Sequence, residues 1–351
     1  MGDWTDDIVV SVFCLAYNHG KFIEKTLEGF VSQKTTFRYE VFVHDDASPD
    51  NTAEIIRRYA EKYPEIIKPI YQTENQYSKK VGIIKTILFP KTKGKYLAWC
   101  EGDDYWCDEN KLQRQVEALE AHPECAACFS RVKCVDVEGR FNGVFYPAFE
   151  RESCVLDGDS FIEYCLYTGR SRLMPFQLSG LMLRKEVYLQ YCDDPPEYRK
   201  YFDVGDLPLY LYIGLQGGAY YLNNAFSCYR NGNPNSWYGQ VSKDVSVFRR
   251  HIETESRALI AFDEYTGQKY HQNVMNGVNI RLYKLFKVYE KQHDIKQMQQ
   301  PEMQPFYNEL SWFKKISHHL QYYFPKTTER MKRAVQNYQN RREKRQAKKQ
   351  A

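Results

Sequence analysis

The sequence lacks any long apolar run. No stretch of about 18 consecutive apolar residues, the length that a membrane-spanning helix needs, occurs among its 351 residues. The first ten residues, MGDWTDDIVV, are acidic and carry no apolar core of the kind that a secretory signal requires. We therefore expect a cytoplasmic protein without membrane-spanning helices.

Glycine-rich phosphate-binding loops are missing as well. No Gly-x-Gly-x-x-Gly follows the first predicted strand, and no Gly-x-x-x-x-Gly-Lys-Ser/Thr occurs in the chain. These absences exclude the dinucleotide fingerprint and the P-loop, in which backbone N–H groups and a lysine hold phosphates. A phosphate-containing ligand would therefore need another counter-charge.

Paired cysteines at zinc spacing are nearly absent. Cys125-x-x-Cys128 is followed by no second pair, and the ten cysteines are scattered, some among apolar neighbours, such as Cys14 and Cys100. We predict buried free thiols with packing roles. A redox or zinc function for Cys125 and Cys128 is the alternative.

Strand and helix signals alternate over the first 130 residues. Apolar, β-branched runs and helical spacing predict strands at 8–16, 39–45, 66–72 and 95–100 and helices at 21–33, 52–63, 79–90 and 110–122. Pro69 places the third strand at an edge. The order predicts an α/β fold with a mostly parallel central sheet flanked by helices. Further on, we predict strands at 125–136 and 219–230, a strand leading into a helix at 178–190, a helix from Gly205, and two or three amphipathic helices within 243–323.

Polar clusters follow three of the predicted strands. They are Tyr17-Asn18-His19-Gly20, His44-Asp45-Asp46-Ala47-Ser48 and Glu101-Gly102-Asp103-Asp104. Ligands of open parallel α/β sheets bind at the carboxyl ends of the strands, so these clusters predict one site. Because carboxylates alone would repel phosphates, the third cluster predicts Mn²⁺ or Mg²⁺ held together with a diphosphate.

Four sequence blocks together resemble the family 2 glycosyltransferases of the GT-A fold. The blocks are VSVFCLAYNHGKFIEKTLEGFVSQ, YEVFVHDDASPDNT, GKYLAWCEGDDYWCDENKLQRQV and GDLPLYLYIGLQGGAYYLNNAFSCYR, and they cover about residues 8 to 235. The resemblance implies the nucleotide-diphospho-sugar transferase fold, a nucleotide-diphosphate sugar donor, a divalent metal and inversion at the anomeric carbon.

The resemblance also implies roles for individual residues. Asp46 would bind the base, Asp103 would lie near the ribose, and Asp104 would be the metal ligand on the donor diphosphate. Glu101 stands where many relatives carry the first Asp of an Asp-x-Asp motif, so a water-mediated metal contact is implied. Further nucleotide-sugar contacts are implied for Tyr17, Asn18, Asp45, Asn75, Lys79 and Lys80, although Asp45 has the alternative of bracing the turn.

The catalytic base is expected in the second half of the chain. Inverting transfer needs a carboxylate that removes the proton of the acceptor hydroxyl. The resemblance points to Gly205-Asp206 before an apolar helix, with Asp203 as the second candidate. Arg230 would stabilise the leaving diphosphate.

Each of these assignments has a structural alternative. Asp45 and Asp46 could cap the helix near Thr52. Asp103 and Asp104 could cap a turn before Asn110. Asp206 could be an ordinary helix N-terminal residue and Arg230 a surface ion-pair residue. The alternatives for His19, His44, Trp99 and Trp106 are local hydrogen bonding and core packing. Arg170 and Arg172 could bind an acceptor phosphate or be solvated charges.

The end of the chain is basic. Residues 325–351 contain ten Lys/Arg and two Asp/Glu, a local charge of +8 against +4 for the whole chain. With the aromatic segment 306–324 before it, this tail predicts peripheral contact with an anionic membrane surface, on the inner face of the membrane. No nucleic-acid-binding motif accompanies the tail, so no nucleic acid partner is expected; a solvated flexible end is the alternative.

Three regions and one activity follow. We predict a catalytic domain over 1–240, a helical C-terminal extension over 241–324 and a basic tail over 325–351. The predicted activity moves a sugar from a nucleotide-diphosphate donor, UDP-linked, to a hydroxyl of a glycan or lipid-linked glycan. The alternatives are a sugar nucleotidyltransferase and a non-catalytic nucleotide- or glycan-binding protein.

Overall fold

A computed structural model describes residues 5–148, 151–166, 176–233, 239, 241, 244–327 and 329–330. The strands are β1 Thr5–Ala16, β2 Phe37–Asp45, β3 Ile67–Tyr71, β4 Tyr96–Trp99, β5 Tyr105–Trp106, β6 Ala127–Val135, β7 Phe141–Tyr146, β8 Cys154–Leu156, β9 Leu181–Arg184 and β10 Ala219–Arg230. The α-helices are α1 Ile23–Val31, α2 Thr52–Lys62, α3 Lys111–Ala121, α4 Gly158–Leu166, α5 Lys185–Asp193, α6 Asp206–Leu215, α7 Val245–Tyr265, α8 His271–Gln292, α9 Ile295–Met298, α10 Gln304–Asn308 and α11 Trp312–Tyr323.

One mixed sheet organises the chain. Its order is β3-β2-β1-β4-β9-β6-β10-β5, with β7 beside β6 and β8 beside β10. The β1, β2, β3 and β4 strands pair in parallel, whereas β9 runs antiparallel to both β4 and β6. β1 is buried from Val10 to Cys14 and β2 at every position except Arg38, which agrees with strands covered on both faces. The predicted α/β class, the parallel pairing of β1 to β4 and the edge position of β3 are confirmed; of the later pairs in the described sheet, β6 with β10 is parallel and the others are antiparallel.

The segment 79–90 departs from the sequence prediction. Instead of a continuous α-helix it forms a π-helical turn, Ile84–Leu88, followed by a 3₁₀ turn, Phe89–Lys91. Lys80 has a φ of 58°, a left-handed conformation that an α-helix cannot contain. Pro90 adds a ring that disrupts regular i to i−4 hydrogen bonding. The helix prediction is therefore only partly right here.

The helical extension shares the core of the sheet. Leu259 and Phe262 of α7 and Val274 of α8 belong to the same apolar cluster as Phe129 of β6. A second cluster joins α7 and α8 to α9 and α10, away from the sheet. None of the ten cysteines forms a disulfide, and most are buried, as predicted. In the described part of the chain, no helix is long and apolar enough to cross a membrane.

Candidate active site

The acidic turn Glu101–Asp104 lies at the carboxyl end of β4, beside the end of β1. Its Gly102 N–H donates to the Leu15 carbonyl at 2.9 Å, and its Asp104 N–H donates to the Glu101 carbonyl at 3.0 Å. From α1, the Thr26 hydroxyl donates to the Gly102 and Asp104 carbonyls. The turn is thus fixed to both the sheet and a helix.

Gly102 is required by close packing. A Cβ atom at this position would lie 2.8 Å from His19 Nδ1 and 3.0 Å from both Ala16 Cβ and Ile23 Cδ1. We expect Gly102→Ala to destabilise the protein by about 1–3 kcal/mol, as overpacking does, and to weaken nucleotide-sugar binding by displacing the turn. Gly82→Ala is the matched control because no atom lies within 4 Å of its added Cβ. Denaturant unfolding and titration calorimetry measure both effects; equal behaviour of the two variants would contradict the assignment.

Asp104 is the most constrained carboxylate of the turn. It is buried, and its Oδ1 accepts the backbone N–H of Arg230 at 2.8 Å. Burial, followed by the charge of Asp103, raises the pKa of Asp104 well above its ordinary value, against the lowering effect of Arg230. No described residue donates a hydrogen bond to its Oδ2, so this oxygen remains available for a ligand.

Arg230 lies behind the acidic turn and holds it. Its Nε donates to the Asp103 carbonyl at 2.8 Å, and its Nη1 donates to the Val137 carbonyl at 3.1 Å. The guanidinium also lies 4.7 Å from the centre of the Phe22 ring. Arg230 is 5% exposed, so the surface ion-pair alternative is wrong.

Asp103 is held by side chains from two sides. Its Oδ2 accepts the amide of buried Asn233 at 3.1 Å and lies 4.0 Å from His19 Nε2. Burial lowers the pKa of His19, although the charge of Asp103 opposes this shift. A neutral imidazole and an amide donor therefore surround the carboxylate. Asn233 was missed from the sequence because nothing in its local pattern indicates a partner 130 residues earlier.

Glu101 and Asp206 are near enough for their charges to interact, and we call the space between the acidic turn, the loops after β1 and β3, and the start of α6 the cleft. The Glu101 side chain is exposed, and desolvation by the surrounding protein, followed by the charges of Asp103 and Asp206, raises its pKa to about 8. Asp206 is half-buried at the start of α6, and desolvation raises its pKa to about 6. The structure thus brings the predicted base close to the predicted metal-binding turn.

Asp203 occupies a more open position. It is exposed, three residues before α6. Tyr77 lies near both Asp203 and Glu101. Burial raises the pKa of Tyr77, and the negative charges of these two carboxylates raise it further. The loop after β3 therefore borders the same cleft.

The loop after β1 is clamped by the loop after β2. Three consecutive N–H groups, those of Asn18, His19 and Gly20, donate to side-chain oxygens of Ser48, Thr52 and Asp50 at 2.9, 2.9 and 2.8 Å. These N–H groups are consequently already bonded and do not form a phosphate nest. Tyr17, by contrast, directly follows β1 and is 47% exposed.

Asp45 and Asp46 hold loops rather than cap α2. Asp45 Oδ2 accepts the Ser48 N–H at 3.3 Å, which agrees with its alternative role in bracing the turn. Asp46 accepts the N–H groups of Gln76 and Tyr77 at 2.8 and 3.0 Å. The N–H of Thr52, at the start of α2, is instead bonded by Asp50, so the capping alternative for Asp45 and Asp46 is wrong.

Asp46 thereby positions the segment that carries Asn75 and Lys80. Half-buried Asn75 donates to the Asp46 carbonyl at 3.4 Å, while its Oδ1 accepts the Ser78 N–H at 2.7 Å. Lys79 pairs with Glu74, and Lys80 is exposed with its backbone in the left-handed region. Of these two cations, only Lys79 has an ion-pair partner among the described residues.

Other predicted contacts have structural roles. Trp99 packs edge-on against Phe13 and Tyr188, and Trp106 packs edge-on against Phe30, which confirms the core-packing alternative for both. Arg170 and Arg172 lie outside the described residues.

The donor set of the cleft fits a hard divalent cation. Among the residues that the structure describes, no three His, Cys, Asp or Glu side chains are grouped as a metal site. Mg²⁺, however, typically needs one or two protein carboxylates when phosphate oxygens complete its shell, and Mn²⁺ also suits oxygen ligands. Asp104 and Glu101, whose pKa values are raised by burial and by neighbouring carboxylates, are carboxylates of this kind, and their role as metal ligands stays a prediction.

Comparison with known proteins finds a family model that matches part of the chain. The sequence model of glycosyl transferase family 2 matches residues 11–172, which include the three strand-end clusters. We call residues 11–172 the family 2 segment. The match confirms the resemblance predicted from the sequence, and the family 2 segment ends before α6 and β10, which complete the cleft.

The aligned regions of individual relatives cover only part of each protein. An uncharacterized protein of Mycobacterium tuberculosis (strain ATCC 25618 / H37Rv) is 38% identical over 151 residues, 42% of each chain. The Escherichia coli UDP-Glc:alpha-D-GlcNAc-diphosphoundecaprenol beta-1,3-glucosyltransferase WfaP is 31% identical over 112 residues, 32% of this chain and 41% of that protein. The chain thus spans about two fifths of the length of these curated relatives.

A solved structure shows the same fold. S. aureus TarS 1–349, in complex with UDP-GlcNAc, superposes with a TM-score of 0.50 over 82% of this chain and 83% of that chain. The two sequences are 18% identical, so the likeness establishes the fold and not the ligand. The predicted GT-A fold is therefore confirmed.

Proposed function

We propose that this protein is an inverting, metal-dependent glycosyltransferase. It moves a sugar from a UDP-linked donor to a hydroxyl group of a glycan or a lipid-linked glycan. The observation that carries the proposal is that Asp206 lies close to the acidic turn. The negative charge of Asp206 contributes to the raised pKa of Glu101. One cleft therefore contains both a base and a site for the leaving diphosphate.

The first function of the cleft is to hold the donor. We assign the nucleotide to Tyr17, Asn18, Asp45, Asp46, Asn75 and Lys80, and the ribose to Asp103. Asp46 acts at least in part through the loop that it holds by two hydrogen bonds. The donor type draws support from WfaP, whose name gives a UDP-linked glucose and a diphosphoundecaprenol-linked acceptor.

The second function is to stabilise the departing diphosphate. Asp104, with Glu101 as its second ligand, would hold Mn²⁺ or Mg²⁺ on the side of the cleft formed by the acidic turn. When bound, the cation neutralises charge on the leaving group. Arg230 keeps Asp104 and Asp103 in place through its backbone N–H and its guanidinium, and its positive charge lies directly behind them.

The third function is proton removal from the acceptor. Asp206 is half-buried, and its pKa of about 6 places it mostly in the basic form at neutral pH while keeping it a stronger base than an exposed aspartate. Its position at the first turn of α6 fixes the carboxylate to a buried helix. Asp203 remains the second candidate.

The regions of the chain are proposed on the same basis. The last strand of the sheet ends at Arg230 and α7 begins at Val245, which is compatible with a catalytic domain over 1–240 and a helical extension over 241–324. Because α7 and α8 contribute to the sheet's apolar cluster, we regard the extension as a support of the catalytic domain.

Product analysis tests the activity and separates its alternatives. The full chain is incubated with a panel of nucleotide sugars and Mn²⁺ or Mg²⁺, and thermal shift and released nucleotide are measured. A glycosyltransferase releases a nucleoside diphosphate slowly when water receives the sugar, and faster when an acceptor receives it. Pyrophosphate formed from a nucleoside triphosphate and a sugar phosphate would instead identify a nucleotidyltransferase, and stabilisation without any release would identify a binding protein.

A further inference from the structure

Helix α11 exposes a continuous apolar face to solvent. Trp312 is 65% exposed, Phe313 77% and Tyr323 62%, and Ile316 and Leu320 are exposed as well. At 100° per residue, these five side chains fall within about one third of the helix circumference. Exposed aromatic side chains grouped in this way usually mark an interaction surface.

The opposite side of α11 is fixed to the body of the protein. His318 is buried, and its Nδ1 lies 2.7 Å from Nδ1 of His293, at the end of α8. Lys314 forms an ion pair with Glu290 at 3.5 Å, and Lys315 donates to the Asn308 carbonyl at 3.2 Å. The helix therefore cannot turn its apolar face inward without breaking these contacts.

The sequence of α11 and of the residues after it is rich in positive charge. Lys314 and Lys315 lie on the other side of α11, and residues 331–351, which follow it in the sequence, contain eight Lys/Arg and one Glu. Two copies of the chain that met through this face would bring these positive charges together. An anionic surface with an apolar interior, by contrast, complements both the charge and the aromatic side chains.

We propose that α11 docks the protein on the surface of an anionic lipid bilayer. The apolar face enters the boundary between headgroups and acyl chains, and the basic residues of the C-terminal segment bind anionic headgroups. Tyr323 and Trp312 suit this depth because their rings combine apolar and polar atoms. The sequence suggested the whole segment 306–324, but Tyr307 is buried, so the docking face begins at Trp312.

Vesicle flotation with the full chain tests this proposal. Vesicles contain phosphatidylcholine alone or with phosphatidylglycerol, at low and high salt. We expect binding to the anionic vesicles that decreases with salt, because exposed charges are screened. We expect the double substitution Trp312→Ser with Phe313→Ser to weaken binding at least tenfold. Ile260→Ser is the matched control, since Ile260 is also exposed but lies on α7, and it should bind like the wild type.

A second variant separates the two contributions. Replacing Arg341, Arg342, Lys344 and Arg345 with glutamine in the full chain should weaken binding to anionic vesicles and reduce its salt dependence. Wild-type-like flotation of the Trp312/Phe313 variant would overturn the proposal. It would also be overturned if the wild type did not float and light scattering showed a dimer that this variant dissociates, because the face would then bind a second copy. Thermal unfolding confirms that each variant is folded, and none of these measurements requires sugar transfer.

Discussion

Asp104→Asn is expected to lower sugar transfer roughly a hundred- to thousandfold, the range observed when a single electrostatic contact to a developing charge is removed. The substitution removes the negative charge that we assign to the metal on the donor diphosphate. It keeps an oxygen that accepts the Arg230 N–H, so the turn should retain its conformation. Initial rates with Mn²⁺ or Mg²⁺, and nucleotide-sugar affinity in the presence and absence of metal, measure the effect.

Stability distinguishes this result from unfolding. The raised pKa of Asp104 means that the ionised carboxylate is unfavourable in the folded protein, so a neutral asparagine should not lower the thermal midpoint at neutral pH. Glu101→Gln is the matched control because it removes one charge from the same turn. If Glu101→Gln abolished transfer and Asp104→Asn did not, the two metal-binding roles would have to be exchanged.

Asp206→Asn is expected to lower the turnover number by roughly 10²–10⁴-fold, the usual contribution of a general base. Donor affinity should change little, because the proposed donor contacts lie on the strand ends and the loop after β3. Asp203→Asn, an identical chemical change three residues earlier and at an exposed position, should retain most activity. The reverse pattern would make Asp203 the base.

The pH profile gives the same assignment an independent readout. Burial raises the pKa of Asp206 to about 6, so the carboxylate becomes protonated, and loses its function as a base, as the pH falls through this value. We expect the wild-type rate to decrease about tenfold for each pH unit below the pKa of Asp206, which gives the pH profile an acidic limb. The limb should be absent from the residual activity of Asp206→Asn; if it persisted, another group would be responsible.

Much of the fold was predictable because it depends on local patterns. Residues 8–16 of β1 and the whole of β4 are rich in apolar side chains, and polar clusters follow where β1, β2 and β4 end. Since parallel strands bring their carboxyl ends to one edge, Asp46 and Glu101 could be placed at one site without knowing any distance. Helical spacing of apolar residues predicted a helix over residues 79–90, but the conformation of Lys80 and the ring of Pro90 prevent a regular helix there.

The parts of the site that depend on distant contacts were not predictable. The clamp between Asn18, His19 and Gly20 and the loop after β2 depends on hydrogen bonds between residues about 30 positions apart. Arg230 is a charged residue at a strand end, and its burial is explained by the carbonyl groups of Asp103 and Val137 and by the ring of Phe22. Spacing along the sequence contains no information about such partners.

The strand order also limits how this protein can be divided or recombined. In the sheet, β6 lies between β9 and β10. Both of these strands come later in the chain than β6, after the end of the family 2 segment at residue 172. A fragment that ended at residue 172 would leave β6 without these two partners and Asp104 without the Arg230 N–H. A chimaera that joined residues 11–172 to another C-terminal half would have to supply a strand on each side of β6 and a backbone donor for Asp104. The two halves should therefore be inherited together.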